Sequence, residues 1–300
     1  MGLTSITEQV GAAVALQVHG HLSGAPITEP YRVLLGAALA LHGNILSPAP
    51  DLRWTRPTIV SCVAAGGVYT QAVPVAAAVE VQMVALDLLD DVEDGESNPL
   101  LETCGLPATV NATTGLIYLA QQMLLRLEGG ASLAAILTEA GLRATGGQHA
   151  DLTLTADAHL ALDTAMETTA GKSGSLMAAA CHLGAAAAGA DAARLRLFAR
   201  FGFLGGVVAQ LANDIRALAP DAVAKTDRAL RRPTLPLVYA ARNRTPTSES
   251  DQSLADREGG ASYFAWGVAD AYRRHALSLI PALTQDPASR ADLAGLLRVL

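Results

Sequence analysis

The chain has 300 residues, 51% of them hydrophobic and only 16% charged, which excludes a disordered polymer and leaves ample material for a core. Lys and Arg number 21 against 28 Asp and Glu, a net charge of −7, so no nucleic-acid partner is expected, because neutralising phosphates needs a basic face. Ala dominates the apolar count and aromatics are 4%, a balance that favours helices over strands.

In chain order, no basic residue precedes Arg32, so the N-terminus lacks the charged start of a signal peptide. Ser47-Pro48-Ala49-Pro50 interrupts the first helical stretch. Thr58 to Val79 carries no charge, yet it holds Gly66-Gly67, Gln71 and Pro74 and is poor in large aliphatics, so it reads as core helices and not as a membrane span. Further punctuation falls at Asp94 to Pro107, Glu128 to Ala131, Gly146-Gly147, Gly171, Gly189 to Asp191, Pro220 and Asn243 to Arg257. Thr245 to Arg257 is polar enough to read as a surface loop. No alternating strand pattern is sustained. The expectation is one all-α domain over residues 1–300, cytoplasmic, with Cys62, Cys104 and Cys181 too scattered for a disulfide framework or a zinc site.

The sharpest chemical feature is Asp90-Asp91-Val92-Glu93-Asp94, closing the apolar run AVEVQMVALDLL. On a helix Asp90 and Asp94 project within about 40° of each other. Carboxylates at that spacing repel, and at a helix C-terminus they also oppose the macrodipole. Such a cluster makes sense where a hard cation is held, and Mg²⁺ takes one or two carboxylates together with substrate phosphates.

Four later segments follow in order: Gly147-Gln148-His149-Ala150-Asp151-Leu152, Ala170-Gly171-Lys172-Ser173, Gln210-Leu211-Ala212-Asn213-Asp214, and Lys225-Thr226-Asp227 with Arg232 and Thr234-Leu235-Pro236-Leu237. With DDVED, this set resembles the trans-isoprenyl diphosphate synthases of the class I isoprenoid synthase superfamily, over roughly residues 50 to 240. The resemblance implies an antiparallel helical bundle around a deep apolar cavity, a homodimer, and Mg²⁺ held between two acidic motifs and a prenyl diphosphate. It implies Asp90, Asp91, Asp94, Asn213 and Asp214 as metal ligands, with Asp90, Asp91 and Lys172 catalytic. Lys172, Lys225, Arg232, Arg53 and Arg56 would bind diphosphate, and Ala85, Leu86, Gln148 and Gln210 would line the cavity. Lys172 and Lys225 are the chain's two lysines, each a compact point charge suited to phosphate.

The departures decide the expected reaction. Chain-elongating members bind isopentenyl diphosphate through GKRxRP, a histidine in the first-motif helix and an RRG after it. Here the first stretch is Leu52-Arg53-Trp54-Thr55-Arg56-Pro57, the histidine position is Met83, and no arginine lies between Asp94 and Gly105. The second motif keeps Asn213 and Asp214 but has Ala217 next, with Asp221 after Pro220. A second diphosphate would meet few cations, which favours a terpene-synthase-like lyase that ionises one C15 or C20 allylic diphosphate. The alternatives are a transferase condensing that substrate with isopentenyl diphosphate or another nucleophile, and a non-catalytic partner subunit. Leu86 and Ala85, four and five residues before Asp90, stand where elongating relatives place the cavity floor, and the resemblance implies room for a long prenyl tail. Asp87, His149, Arg126, Arg143 and the Cys181-His182 pair are lesser candidates.

Overall fold

The computed structural model describes residues 3–46, 53–157, 159–218, 232–243 and 251–298, with side chains described from residue 9 onward and, in the last long helix, from residue 259. Lys225, Asp221, the Ser47–Pro50 break and Pro220 lie outside the described residues. The class is all-α, with no strand among the described residues. Contacts group the chain into two compact units, residues 1–139 with 179–198 and residues 140–178 with 199–300.

The first unit holds α1 (Leu3–Ser23), α2 (Glu29–Leu41), α3 (Thr55–Ala64), α4 (Tyr69–Asp94), α5 (Pro99–Cys104) and α6 (Leu106–Leu125). Helix α4 packs against α6, α3 and α1. Its residues from Ala72 to Ala85 are buried save Pro74, the profile of a helix that is apolar all round. The uncharged run Thr58 to Val79 is split between α3 and α4 by Gly66, whose φ of 97° a side chain would strain. Helix α4 ends in a Schellman cap: Gly95 is left-handed and the Glu96 N–H donates to the Asp91 carbonyl at 2.8 Å.

Helix α7 (Gly130–Thr153) leads into the second unit, which carries α8 (Leu162–Thr169), a π-turn at Ala170–Gly174, α11 (Leu235–Arg242), α12 (Asp251–Leu283) and α13 (Pro287–Gly295). Helices α9 (Ser175–Ala187) and α10 (Ala192–Ala217) have parts in both groups. Val207, Leu211, Leu235, Val238, Ala265 and Ala269 form the core of the second unit. Tyr239 stacks on Phe264 beside them, with ring centroids 4.2 Å apart.

Three expected breaks are corrected. Helix α7 runs through Gly146-Gly147. At Gly171 the chain stays helical and widens into the π-turn, where the Ser175 N–H donates to the Ala170 carbonyl. These glycines serve close approach: a Cβ on Gly147 would overlap the Lys172 amide nitrogen, and one on Gly171 would press on Gly147. The expected Thr245–Arg257 loop is helical from Asp251, continuous with the helix that the buried stripe Ala261, Ala265, Ala269 and Ala276 anchors by packing. Helices α4 and α10 are long and apolar enough to cross a membrane, but 78% and 56% of their apolar windows are buried within the protein.

Candidate active site

In the first unit the acidic motif occupies the last turn of α4, where no basic residue offsets it on the helix. Asp90, Asp91 and Asp94 are half-buried, while Asp87 and Glu93 are exposed. Asp91 Oδ2 accepts from Asn98 Nδ2 at 3.0 Å and lies 3.6 Å from His42 Nδ1, at the end of α2. Asn98 also caps α5, accepting from the Leu101 N–H at 2.8 Å. Burial pushes the Asp91 carboxyl up against the pull of His42 and Asn98. Burial pushes His42 down; Asp91 opposes this, and Arg53 reinforces it.

Three turns before the motif, Glu80 is 4% exposed. Its Oε2 accepts from the Trp54 N–H at 3.1 Å, the Thr55 N–H at 2.7 Å and the Thr55 hydroxyl at 2.9 Å. These are donors at the start of α3, so Glu80 caps the very segment that carries the exposed Arg53 and Arg56 and ties it to α4. Burial pushes the Glu80 carboxyl up to about 7, Asp87 adding to the rise while the three hydrogen bonds oppose it. Ala85 is fully buried, Leu86 half-buried, and Met83 buried at the place of the expected histidine.

In the second unit the π-turn presents Lys172 and Ser173. Lys172 Nζ lies 3.5 Å from Asp151 Oδ2 on α7. The buried Arg232 donates from Nη1 to the Asp151 carbonyl at 3.1 Å, so two of the five predicted diphosphate cations, Lys172 and Arg232, gather at the end of α7. On α10, Gln210 Nε2 donates to Asp214 Oδ1 at 2.9 Å and Gln210 Oε1 accepts from Ser173 Oγ at 2.5 Å. Asp214 is buried, whereas Asn213, one residue earlier, is exposed and receives Arg216 Nη2 at 3.5 Å. Gln148 is buried with neither end of its carboxamide hydrogen-bonded. A polar group so placed is costly unless a ligand or water meets it.

The lesser candidates separate. His149 and Arg143 are exposed, and Arg126 acts electrostatically on His21 of α1. Cys62 and Cys181 are free, buried thiols pushed by burial to about 11 and about 12, packing groups without nucleophilic character. Sequence reasoning passed over Glu80, His42, Asn98 and Ser173. A signal existed for the first: Glu80, Asp87 and Asp94 recur every seven residues, one stripe of a helix.

Among the described residues no group of three His, Cys, Asp or Glu encloses a metal. The donors present are hard carboxylates in ones and twos, which fits Mg²⁺ bound together with diphosphate oxygens and not in a protein cage.

The family model described as polyprenyl synthetase matches residues 53–261. The (2E,6E)-farnesyl diphosphate synthase of Mycobacterium tuberculosis (strain ATCC 25618 / H37Rv) is 30% identical over 199 residues, 61% of this chain and 55% of that protein. The match thus spans about half the length of this curated relative. A dimethylallyltranstransferase of the same strain is 39% identical over 87 residues, 28% of this chain and 27% of that one. Among solved structures, a polyprenyl synthetase from Streptomyces coelicolor A3(2) superposes with a TM-score of 0.82 at 19% identity, covering 99% of this chain and 98% of that one. A polyprenyl synthase from Caulobacter crescentus CB15, complexed with calcium and isoprenyl diphosphate, gives 0.81 at 21% identity, covering 98% and 95%. At these identities the structural likeness speaks for the fold.

Proposed function

This chain belongs to the polyprenyl synthetase family, and we propose that it is a prenyl diphosphate synthase, an enzyme that transfers the prenyl group of an allylic diphosphate to isopentenyl diphosphate and releases pyrophosphate. One observation carries the choice of transferase over the lyase favoured by the bare sequence. The Arg53–Arg56 segment is pinned by Glu80 to the helix that bears the acidic motif, and His42 lies against Asp91 within electrostatic reach of Arg53. The few groups available to a second diphosphate are therefore held in place before it arrives, so less ordering is needed on binding. The farnesyl diphosphate synthase match points the same way.

In this reading Asp90 and Asp94, and separately Asp214 with Asn213, are the oxygen ligands offered to Mg²⁺, which would supply charge neutralisation for the departing pyrophosphate. Lys172 holds the allylic diphosphate as a point charge, released for that task from Asp151, while Arg232 orders the end of α7. Asp91, already engaged by Asn98 and His42, anchors the loop after α4. The fully buried Ala85 leaves the tail site without an aromatic floor, which suits a C15 or C20 chain. The reading includes one domain over residues 1–300, a cytoplasmic location and a homodimer. Helix α6 has no charged residue and exposes Leu106, Val110, Tyr118 and Leu125, a face that two acidic copies can share without repulsion.

The test is incubation with geranyl, farnesyl and geranylgeranyl diphosphates, each with and without isopentenyl diphosphate. Pyrophosphate release should depend on isopentenyl diphosphate and give a product five carbons longer. Release from an allylic diphosphate alone, with a hydrocarbon or alcohol product, would overturn the transferase in favour of the lyase.

A further inference from the structure

We infer that Ser173 is a positioning residue for the second acidic motif: through the Gln210 carboxamide it fixes the direction of the Asp214 carboxylate. This rests on the reading of Asp214 as a Mg²⁺ ligand. Asp214 is 3% exposed, and Gln210 Nε2 donates to its Oδ1 at 2.9 Å. Gln210 Oε1 in turn accepts from Ser173 Oγ at 2.5 Å. Chemistry fixes the sense of this chain. A carboxylate only accepts, so the NH₂ end of Gln210 must face Asp214; the carbonyl end is left to accept, and a hydroxyl can supply the proton. Held at both ends, the amide cannot flip about its soft terminal torsion. Holding Oδ1 in a charge-assisted bond, Gln210 sets the plane in which the Asp214 carboxylate is presented.

The backbone holds Ser173 where this relay needs it. Gly206, Gln210 and Asp214 stand at four-residue intervals and form one stripe of α10. A Cβ on Gly206 would meet the Ser173 carbonyl oxygen at 2.5 Å, so α10 and the π-turn touch backbone to backbone one helical turn before Gln210. The Ser175 hydroxyl donates to the Gly171 carbonyl at 2.6 Å and steadies the turn from within. A shorter hydrogen-bonding side chain than Gln could not span from the π-turn to Asp214, and Ser173 without its hydroxyl would leave the Gln210 carbonyl unpaired.

The experiment is calorimetric binding of inorganic pyrophosphate to the full-length protein across a Mg²⁺ series, with no turnover, alongside melting of the metal-free protein in EDTA. Ser173→Ala should raise the Mg²⁺ needed for half-saturation about tenfold, the size of effect seen when a partner behind a metal ligand is lost. Ser173→Thr, which keeps the hydroxyl, should restore it, and metal-free melting should not distinguish the two. Ser173→Ala combined with Gln210→Leu should be no worse than Gln210→Leu alone, because both cut one chain. An unchanged Mg²⁺ requirement in Ser173→Ala, or additive losses in the double variant, would overturn the relay. Asp214→Ala separates the two readings. If it abolishes Mg²⁺-dependent binding while Ser173→Ala is silent, only the relay falls; if it leaves binding intact, the metal-ligand assignment falls and the relay with it.

Discussion

In α4 three aspartates crowd the last turn of a helix whose dipole already disfavours negative charge there, and no lysine or arginine on that turn offsets them. In α10 the corresponding Asp214 also stands in the last turn, but it is buried, Arg216 shares that turn, and its carboxylate is taken up by Gln210 and Gln210 by Ser173. The first region is electrostatically loaded and gains when a cation arrives. The second is assembled beforehand, with backbone contacts and directed hydrogen bonds. Substitutions should therefore fail in different ways: loss of function without loss of stability at the carboxylates of the first, loss of stability at the backbone contacts that hold the second.

The largest effect is expected at Asp90. Asp90→Ala should lower turnover about a thousandfold, the loss typical of removing one strong electrostatic contact to developing charge. The same change relieves repulsion from Asp94 and the helix dipole, so stability should stay level or rise by about 0.3–1 kcal/mol. Steady-state kinetics with urea unfolding measures both. A clear fall in stability would erase the contrast, because it would make Asp90 a structural residue.

Glu80 sharpens the comparison through pH. Its carboxyl is raised to about 7, so between the ordinary glutamate pKa and about 7 the folded chain binds more protons than the unfolded chain. Stability must then fall as pH rises through that window, by at most about 3 kcal/mol from this group. Glu80→Gln keeps a carboxamide oxygen for Trp54 and Thr55 and should flatten the decline. Urea titrations at about pH 5 and about pH 8 read it; a decline as steep as in the parent protein would mean that the Glu80 proton is not the one linked to folding.

The smallest effect is expected in the second region. Gly206→Ala forces a methyl group against the π-turn backbone and should cost about 1–3 kcal/mol, the usual range for overpacking. Its denaturation midpoint should drop, while an Ala at Gly259 or Gly260, which have nothing within 4 Å, should not lower it. Equal effects at all three sites would mean that helix propensity and not close approach governs them.

The first region was legible because its signal is local. An acidic run closing an apolar helix, and the break that follows Asp94, can be read within a dozen residues. The second was legible only as motifs, since Ser173 and Gln210 are 37 positions apart and Lys172 and Asp151 are 21 apart. Gly147 and Gly171 were misread as helix ends because one residue type serves both turns and tight contacts, and only the neighbour across the gap tells which. The leaning towards a lyase had a similar origin. Counting arginines registered what the chain lacks, but Glu80 holding α3 and His42 beside Asp91 arise from pairings 25 and more residues apart.

The π-turn carries one residue more than an α-helical turn over the same rise, so it is in effect a single-residue insertion absorbed without breaking the helix. That gives the protein a register switch written in chain length and not in side chains. Deleting Ala170 would let Thr169 and Gly171 join as ordinary α-helix, with the buried faces of α8 and α9 still available on either side. Lys172 and Ser173 would then turn by up to about 100° relative to the helices flanking them, the angle one residue subtends. A chain shortened by one alanine would keep its core and lose its aim.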